Sequence, residues 1–377
     1  MSRYNIPLAK PYLEQTDIDA VSKVLQSGWL IQGPHVIRFE QALRERHKTT
    51  FGLTVSSGTA ALHLLFLALG IQKNDLVFIP SFTWPSAANV AEQCNAEVML
   101  VDVESDSYNL SPADLINKIE RAKKSGKNLK AVVAVHQFGL PCDLNQISKI
   151  CNEHNLLLIE DAACALGATY ESKPVGNFGV ASILSFHPRK AITTGEGGAI
   201  LSNDEKIIER CRRLMNHGQQ ILPDKRDIVE PGLNYRLTDF QAALGLSQLE
   251  RFDQILADRK RAVEKYAKLL SDNEMITFPA MPKNHTYQTF MVLLNDAVDA
   301  STIIRELNES GIGCGPGAIA THLMSYYADK YKIKPDDLPV SKRLHQQGIA
   351  LPLYYGITED EIEIVTQNLN MKLKCLI

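Results

Sequence analysis

Leu156-Leu157-Leu158-Ile159-Glu160-Asp161-Ala162-Ala163 is the stretch whose reading decides the fold. Its aliphatic run is too short for a typical helix and stops abruptly at two acids, so it reads as a buried β-strand. Similar runs occur at Leu76-Val77-Phe78-Ile79-Pro80, at Ala96 to Asp102 and at Ala131-Val132-Val133-Ala134-Val135. Helical patterns lie between them. One spans Thr59 to Gly70, one opens with Ser111 as N-cap and Pro112 at the first helical position, and one spans Gln146 to His154. Strands alternating with helices predict an α/β fold, a mostly parallel sheet between two layers of helices. In such sheets ligands bind beyond the carboxyl ends of the strands, where Asp161 stands. Taken alone, Asp161 is equally readable as the N-cap of a following helix.

The chain has 377 residues, and at roughly 100–200 residues per domain that means about two domains. A long helical stretch from Thr238 to about Leu270 changes the rhythm and reads as a single connector. After it come a strand at Phe290 to Leu294 and helices at Asp299–Gly311 and Leu338–Gln347. The expected division is a large domain over residues 1–250 and a small C-terminal α/β domain over 251–377. Formal net charge is −3, which gives no broad basic surface for a phosphate backbone, so nucleic acid is not an expected partner. Seven cysteines, an odd number with no C-x-x-C pair, argue against a disulfide framework and a thiolate zinc site. The ten histidines form no H-E-x-x-H or H-x-H pair, so no metal is expected. The longest apolar stretch, Ala60 to Ile71, contains His63 and falls far short of the ~20 residues of a membrane span. The first residues, Met1 to Pro7, hold no signal-peptide core. A cytoplasmic location is the simplest expectation.

The chemistry concentrates in Ser185-Phe186-His187-Pro188-Arg189-Lys190-Ala191-Ile192-Thr193-Thr194-Gly195-Glu196-Gly197-Gly198. Lys190 follows a strand, Ala181 to Ser185, and precedes a Thr/Gly-rich turn. An arbitrary lysine there is a surface lysine. Paired with Asp161 it fits one cofactor. Pyridoxal phosphate needs a lysine for its Schiff base and an acid that keeps the pyridine nitrogen protonated. A phosphate cradle is available at Ser56-Ser57-Gly58-Thr59-Ala60-Ala61, a small-residue turn opening a helix whose free N–H groups favour an anion, and Ser185 adds a hydroxyl. Such a turn is also an ordinary helix cap. Trp84, in Ser81-Phe82-Thr83-Trp84-Pro85, offers an aromatic face for the ring, or a core side chain.

In this order the segments resemble the DegT/DnrJ/EryC1/StrS family of sugar aminotransferases, pyridoxal phosphate enzymes of fold type I (aspartate aminotransferase-like). The likeness runs nearly end to end. It takes in Ile6-Pro7-Leu8-Ala9-Lys10-Pro11, Ser27-Gly28-Trp29-Leu30, the loop Val135-His136-Gln137-Phe138-Gly139-Leu140-Pro141-Cys142-Asp143, Asn216-His217-Gly218, Gly232 to Ala243 and Leu351-Pro352-Leu353-Tyr354. The resemblance implies that Lys190 bonds the cofactor and then shuttles the proton. By the same resemblance Asp161 partners the pyridine nitrogen, Gly58, Thr59 and Ser185 bind the phosphate, and Trp84 stacks on the ring. It further implies that Asn234 reaches the phosphate of a neighbouring subunit, so that the enzyme is a homodimer with shared active sites. Cys164 departs from the pattern, standing where many relatives carry Gln, His or Glu near the ring hydroxyl. As a small buried hydrophobe it is equally well explained.

The implied reaction moves the amino group of glutamate to a nucleotide-linked keto sugar. The run Ile192 to Gly198 resembles the branch acting on 4-keto-6-deoxyhexoses, whereas the 3-keto branch ends in Gly-Asp-Gly-Gly. The product is an amino sugar for surface glycans such as lipopolysaccharide. Arg236 and His322 are candidate substrate contacts, each with a structural role as the alternative. The competing readings are a 3-keto sugar aminotransferase, a dehydratase, against which Lys190 counts because dehydrating relatives carry His there, and a non-catalytic ligand-binding member of the fold.

Overall fold

Residues 4–374 are described by the computed structural model, so Met1 to Arg3 and Cys375 to Ile377 lie outside the described residues. Seven strands build the central sheet in the spatial order Phe51–Val55, Gly198–Ser202, Ala181–Ser185, Leu157–Asp161, Asn128–Val135, Asp75–Pro80, Glu97–Val101. Gly198–Ser202 runs antiparallel to both of its neighbours. The other strands share one direction. The sheet is therefore mixed and mostly parallel, with helices on both faces, the layout of fold type I.

Alternation along each strand explains why both faces must be covered. On Asp75–Pro80, Leu76 and Phe78 enter one core with Phe39, Leu144 and Phe186, while Val77 and Ile79 enter the opposite core with Leu62, Phe66 and Ala91. On Asn128–Val135 the same split sends Val132 and Ala134 one way and Ala131, Val133 and Val135 the other. Two strands escape a pattern reading. Phe51–Val55 carries Thr54 at a fully buried position, and the polar atoms of Thr54 are satisfied by Glu40, whose Oε1 accepts from its backbone N at 2.8 Å and its hydroxyl at 3.2 Å. Gly198–Ser202 offers only three apolar residues in a row.

The stretch expected as one connector helix is two, Asp239–Glu250 and Phe252–Leu270, broken at Arg251. No Gly or Pro marks the break; its cause is tertiary. The Arg251 guanidinium forms a two-pronged ion pair with the buried carboxylate of Asp17 on the helix Gln15–Ser27. Beyond it, strands Ile276–Thr277, Phe290–Leu294 and Gly348–Leu351 form an antiparallel sheet. That sheet shares a separate core with Tyr266, Leu307, Ile362 and Leu369, and with Ile6 from the N-terminal segment. The expected helices are present as Ala300–Glu309 and Pro339–Gln347. A short ribbon, Phe82–Thr83 against Ile319–Ala320, ties this part of the chain to the edge of the large sheet.

Candidate functional site

Strand direction collects the site. Val55, Pro80, Val135, Asp161 and Ser185 end their strands at one edge of the sheet, and the reversed strand begins there at Gly198. The turn Ser56–Gly58, the segment after Ser81, Asp161 and the loop carrying Lys190 are thus neighbours, although up to 134 positions apart in sequence (190 minus 56).

Two adjacent acids end one strand, and alternation points them to opposite faces. Glu160 is fully buried and faces the loop 176–179. It accepts from the backbone N–H groups of Gly176 at 2.7 Å, Phe178 at 2.7 Å and Gly179 at 2.8 Å, and from His136 Nε2 at 3.2 Å. His136 Nδ1 accepts from Cys142 N, so the ring proton sits on Nε2. Burial pushes the carboxyl pKa of Glu160 up, but His136 and the amides of Gly176 and Gly179 outweigh that and hold it below the ordinary value. Asp161 is the reverse case. Among the described residues a single hydrogen bond reaches its carboxylate, from Ala163 N to Oδ1 at 3.0 Å. It is 8% exposed, and burial raises its pKa against the opposing pull of that N–H, Lys190 and His136. The acid with unused acceptor capacity at this edge of the sheet is therefore Asp161.

The Lys190 ammonium lies 3.0 Å from Cys164 Sγ. Among the described residues no carboxylate is within ion-pair distance of it. Both side chains line a small cavity with Ser185, Ile192, Thr286 and Gln288. The lysine loop is pinned at its far end by the buried Gln248, which accepts from Thr193 N at 3.0 Å and donates to Thr193 O at 2.6 Å. Facing it, Ser57 caps the helix Gly58–Ala68 by accepting from Ala60 N at 3.0 Å, leaving the N–H groups of Gly58 and Thr59 at the free helix end. A Cβ on Gly58 would stand 3.0 Å from Ser185 Cβ and 3.3 Å from its Oγ. The turn and the serine are pressed together as a cradle, in which a Cβ on Gly58 would have to push Ser185 aside by a few tenths of an ångström. Trp84 is 70% exposed beside this edge, so it is not a core side chain.

Pyridoxal phosphate fits these residues on the structure's own terms. An under-coordinated buried carboxylate suits a protonated pyridine nitrogen, a helix end with a converging hydroxyl suits a phosphate, and a half-buried lysine lies between them. Of the other candidates, exposed Asn234 and half-buried Arg236 lie beside the end of Phe51–Val55 rather than in the Lys190 cavity. Arg236 Nη1 donates to Asn216 Oδ1 at 2.5 Å. A second cavity of about 320 Å³ opens next to them, lined by Ser57, Thr59, His63, Asn89 and Tyr235. His322 is not brought to either cavity. It is 1% exposed, with Nδ1 2.7 Å from Ser81 Oγ and Nε2 3.1 Å from Pro335 O. Nothing in the local sequence marks Thr286, Gln288 or Gln248, whose only local feature is a place on or beside regular elements.

Among the described residues no group of three or more His, Cys, Asp or Glu is placed to hold a metal ion, and no helix is long and apolar enough to cross a membrane. The chain is 36% identical over 377 residues to the protein of Caulobacter vibrioides named GDP-perosamine synthase, covering 98% of each. It is 31% identical to the Escherichia coli O157:H7 protein of the same name, covering 97% of this chain and 98% of that one. Its backbone superposes on Helicobacter pylori PseC, an aminotransferase involved in the biosynthesis of pseudoaminic acid, with a TM-score of 0.91 at 25% identity, covering 99% of this chain and all of that one. A family profile matches residues 11–370, and the chain belongs to the DegT/DnrJ/EryC1/StrS aminotransferase family.

Proposed function

We propose that this chain is a pyridoxal phosphate-dependent aminotransferase that moves the amino group of glutamate to a nucleotide-linked 4-keto-6-deoxyhexose. The observation that carries the reading is the convergence of Lys190, Asp161 and the Gly58–Ser185 cradle at one sheet edge. Bound there, the cofactor supplies an electron sink for the carbanion at the amino donor's α-carbon. The protein does the rest. Lys190 Nζ would bond the cofactor and, when freed from it, would carry the α-proton. Asp161 holds the pyridine nitrogen protonated, and its weak coordination by the fold leaves it free to do so. Gly58, Thr59 and Ser185 hold the phosphate, and Trp84 covers one face of the ring. Cys164, 3.0 Å from Lys190 Nζ, offers only a soft, weakly hydrogen-bonding neighbour to the amine.

Asn234 reaches the phosphate across a homodimer in this reading, which the surface favours, and Arg236 is a candidate contact for the sugar nucleotide. Tyr12, Leu13, Ile18, Leu25, Trp29, Leu30, Ile31 and Ile37 are all exposed on the N-terminal segments. Scattered exposed apolar residues are ordinary, but a contiguous stretch of sequence carrying so many marks an interface. The large cofactor unit is residues 1–250 and the small one 251–377. The relatives' name makes guanosine diphosphate the first nucleotide to try, and the product feeds surface glycan synthesis.

The test is a panel of nucleotide-linked 4-keto and 3-keto sugars, guanosine diphosphate forms included, with glutamate as donor. Amination of a 4-keto-6-deoxyhexose is expected. Conversion confined to 3-keto sugars overturns the choice of carbon, and a protein that never acquires a visible cofactor band overturns the enzyme reading itself.

A further inference from the structure

We propose that Arg259 and Gln288 are positioning residues for Lys190: Arg259 fixes the segment His285 to Gln288, and Gln288 grips the carbonyl of Arg189, the residue before the lysine. The inference rests on Lys190 being the residue that bonds the cofactor.

Arg259, on the helix Phe252–Leu270, is 4% exposed. Its Nη1 donates to Tyr287 O and to Gln288 O, each at 3.1 Å, and its Nε finds no partner. Among the described residues no carboxylate is within ion-pair distance of it. Buried guanidinium groups ordinarily pair with an acid. Here burial lowers the pKa to about 10, with Asp258 opposing, so the charge persists at neutral pH. One nitrogen of the guanidinium thus serves two carbonyls of one segment.

That segment is in a costly conformation. Tyr287 has φ of +49°, and its N–H donates to His285 Nδ1 at 3.0 Å while the two rings stack at 3.9 Å. It locks against a second such loop, where Phe138 has φ of +56° and Gly139 +98°. Gln288 N donates to Phe138 O at 2.8 Å and Thr286 N to Gly139 O at 3.1 Å. A Cβ at Gly139 would come within 2.2 Å of Thr286 Oγ1. Conformations of this kind persist where the surroundings over-determine them, and they cluster at working sites.

The lock ends at the lysine. Thr286 and Gln288 form one wall of the Lys190 cavity, and Gln288 Nε2 donates to Arg189 O at 3.0 Å. Gln248 pins the far end of the lysine loop at Thr193, and Gln288 pins the near end. The C-terminal part of the chain thus sets where Nζ stands, through Arg259.

Hydrogen exchange of the full-length protein without cofactor reads the positioning directly. In Gln288→Leu the peptide 186–192 is expected to exchange about tenfold faster, with the thermal midpoint nearly unchanged. Arg259→Met is expected to loosen both 285–290 and 186–192, and Arg259→Lys to restore part of the protection. With pyridoxal phosphate added, Gln288→Leu should slow the bleaching of the visible band by glutamate by about tenfold or more. The half-saturating glutamate concentration should hold within about twofold, because the lost interaction orients the lysine and does not bind the donor. Exchange of 186–192 within about twofold of the parent in Gln288→Leu overturns the proposal. So does an Arg259→Met protein loosened at 285–290 alone. Should Arg259→Met fail to fold, Gln288→Leu and Arg259→Lys decide the matter. A parent protein that never takes up cofactor defeats the aminotransferase reading, while the exchange result still decides this one.

Discussion

Glu160 and Asp161 are adjacent acids with opposite assignments, and replacing each in turn tests the logic of the site. Glu160→Ala removes the acceptor of four N–H donors, those of Gly176, Phe178, Gly179 and His136, in a place with no exposure. A buried donor left without a partner costs about 1–3 kcal/mol. Even at the low end, and with no term for the cavity, four donors give a loss of about 4 kcal/mol. At about 2 °C per kcal/mol for a chain of this size the melting midpoint should fall by about 8 °C. Asp161→Asn disturbs one hydrogen bond to Ala163 N and relieves a buried carboxylate whose pKa burial has raised. In the cofactor-free protein its midpoint should stay level or rise slightly, yet the visible cofactor band should weaken or vanish, because an amide cannot hold the pyridine nitrogen protonated. The pH dependence carries opposite signs. Glu160 has a lowered folded pKa, so its contribution is present above its ordinary carboxyl value, near pH 4.5, and disappears as pH falls through the folded value. Asp161 has a raised folded pKa, so its ionisation costs stability as pH rises through that value, and Asp161→Asn removes this cost. The assays are calorimetry from about pH 2.5 to 8, a range that reaches below the ordinary carboxyl value, and absorbance with added cofactor. The reasoning fails if Glu160→Ala melts within about 1 °C of the parent, or if Asp161→Asn is the more destabilised of the two.

Lys190→Ala should lack the visible cofactor band and lose turnover by at least about 10³-fold, since both the bond to the cofactor and the proton carrier go with the side chain; retention of full activity in a steady-state assay defeats the assignment. Gly58→Ala puts a methyl 3.0 Å from Ser185 Cβ and should weaken cofactor affinity by about tenfold, read by fluorescence titration, with little change in the midpoint of the cofactor-free protein. Gln248→Ala takes both bonds from Thr193 inside the core and should cost about 2–4 kcal/mol in a denaturant melt.

The large sheet and the carboxyl-edge placement of Asp161 were legible because periodicity reports burial, and burial is what a parallel sheet demands of its strands. The strands Leu76–Pro80, Ala131–Val135 and Ala181–Ser185 needed nothing else. Where a contact distant in sequence decides the outcome, periodicity is silent. Thr54 enters the core because Glu40 satisfies it. The helix breaks at Arg251 because Asp17, 234 positions earlier, holds the guanidinium. Asn234 was named by resemblance and Arg236 as a candidate substrate contact, and the chain places both beside the end of Phe51–Val55. His322 was expected as a candidate substrate contact with a structural role as the alternative, and the fold, by occupying both ring nitrogens, favours the structural role.

Strand alternation also settles a choice that the pair Glu160-Asp161 leaves open. Either acid could end a strand beside a cofactor. The loop 176–179 turns three amides toward Glu160, and His136, with its proton fixed on Nε2 by Cys142, adds a fourth donor. A carboxylate so coordinated has little acceptor capacity left and little freedom to move, which suits a structural anchor. One residue on, the side chain crosses to the other face, where the fold supplies one amide and a nearby ammonium. An acid that must bond an arriving ring needs that incompleteness. On the proposed function, the shortage of partners is what suits Asp161 to the ring nitrogen, and the full satisfaction of Glu160 is what lets the strand end hold its neighbour in place.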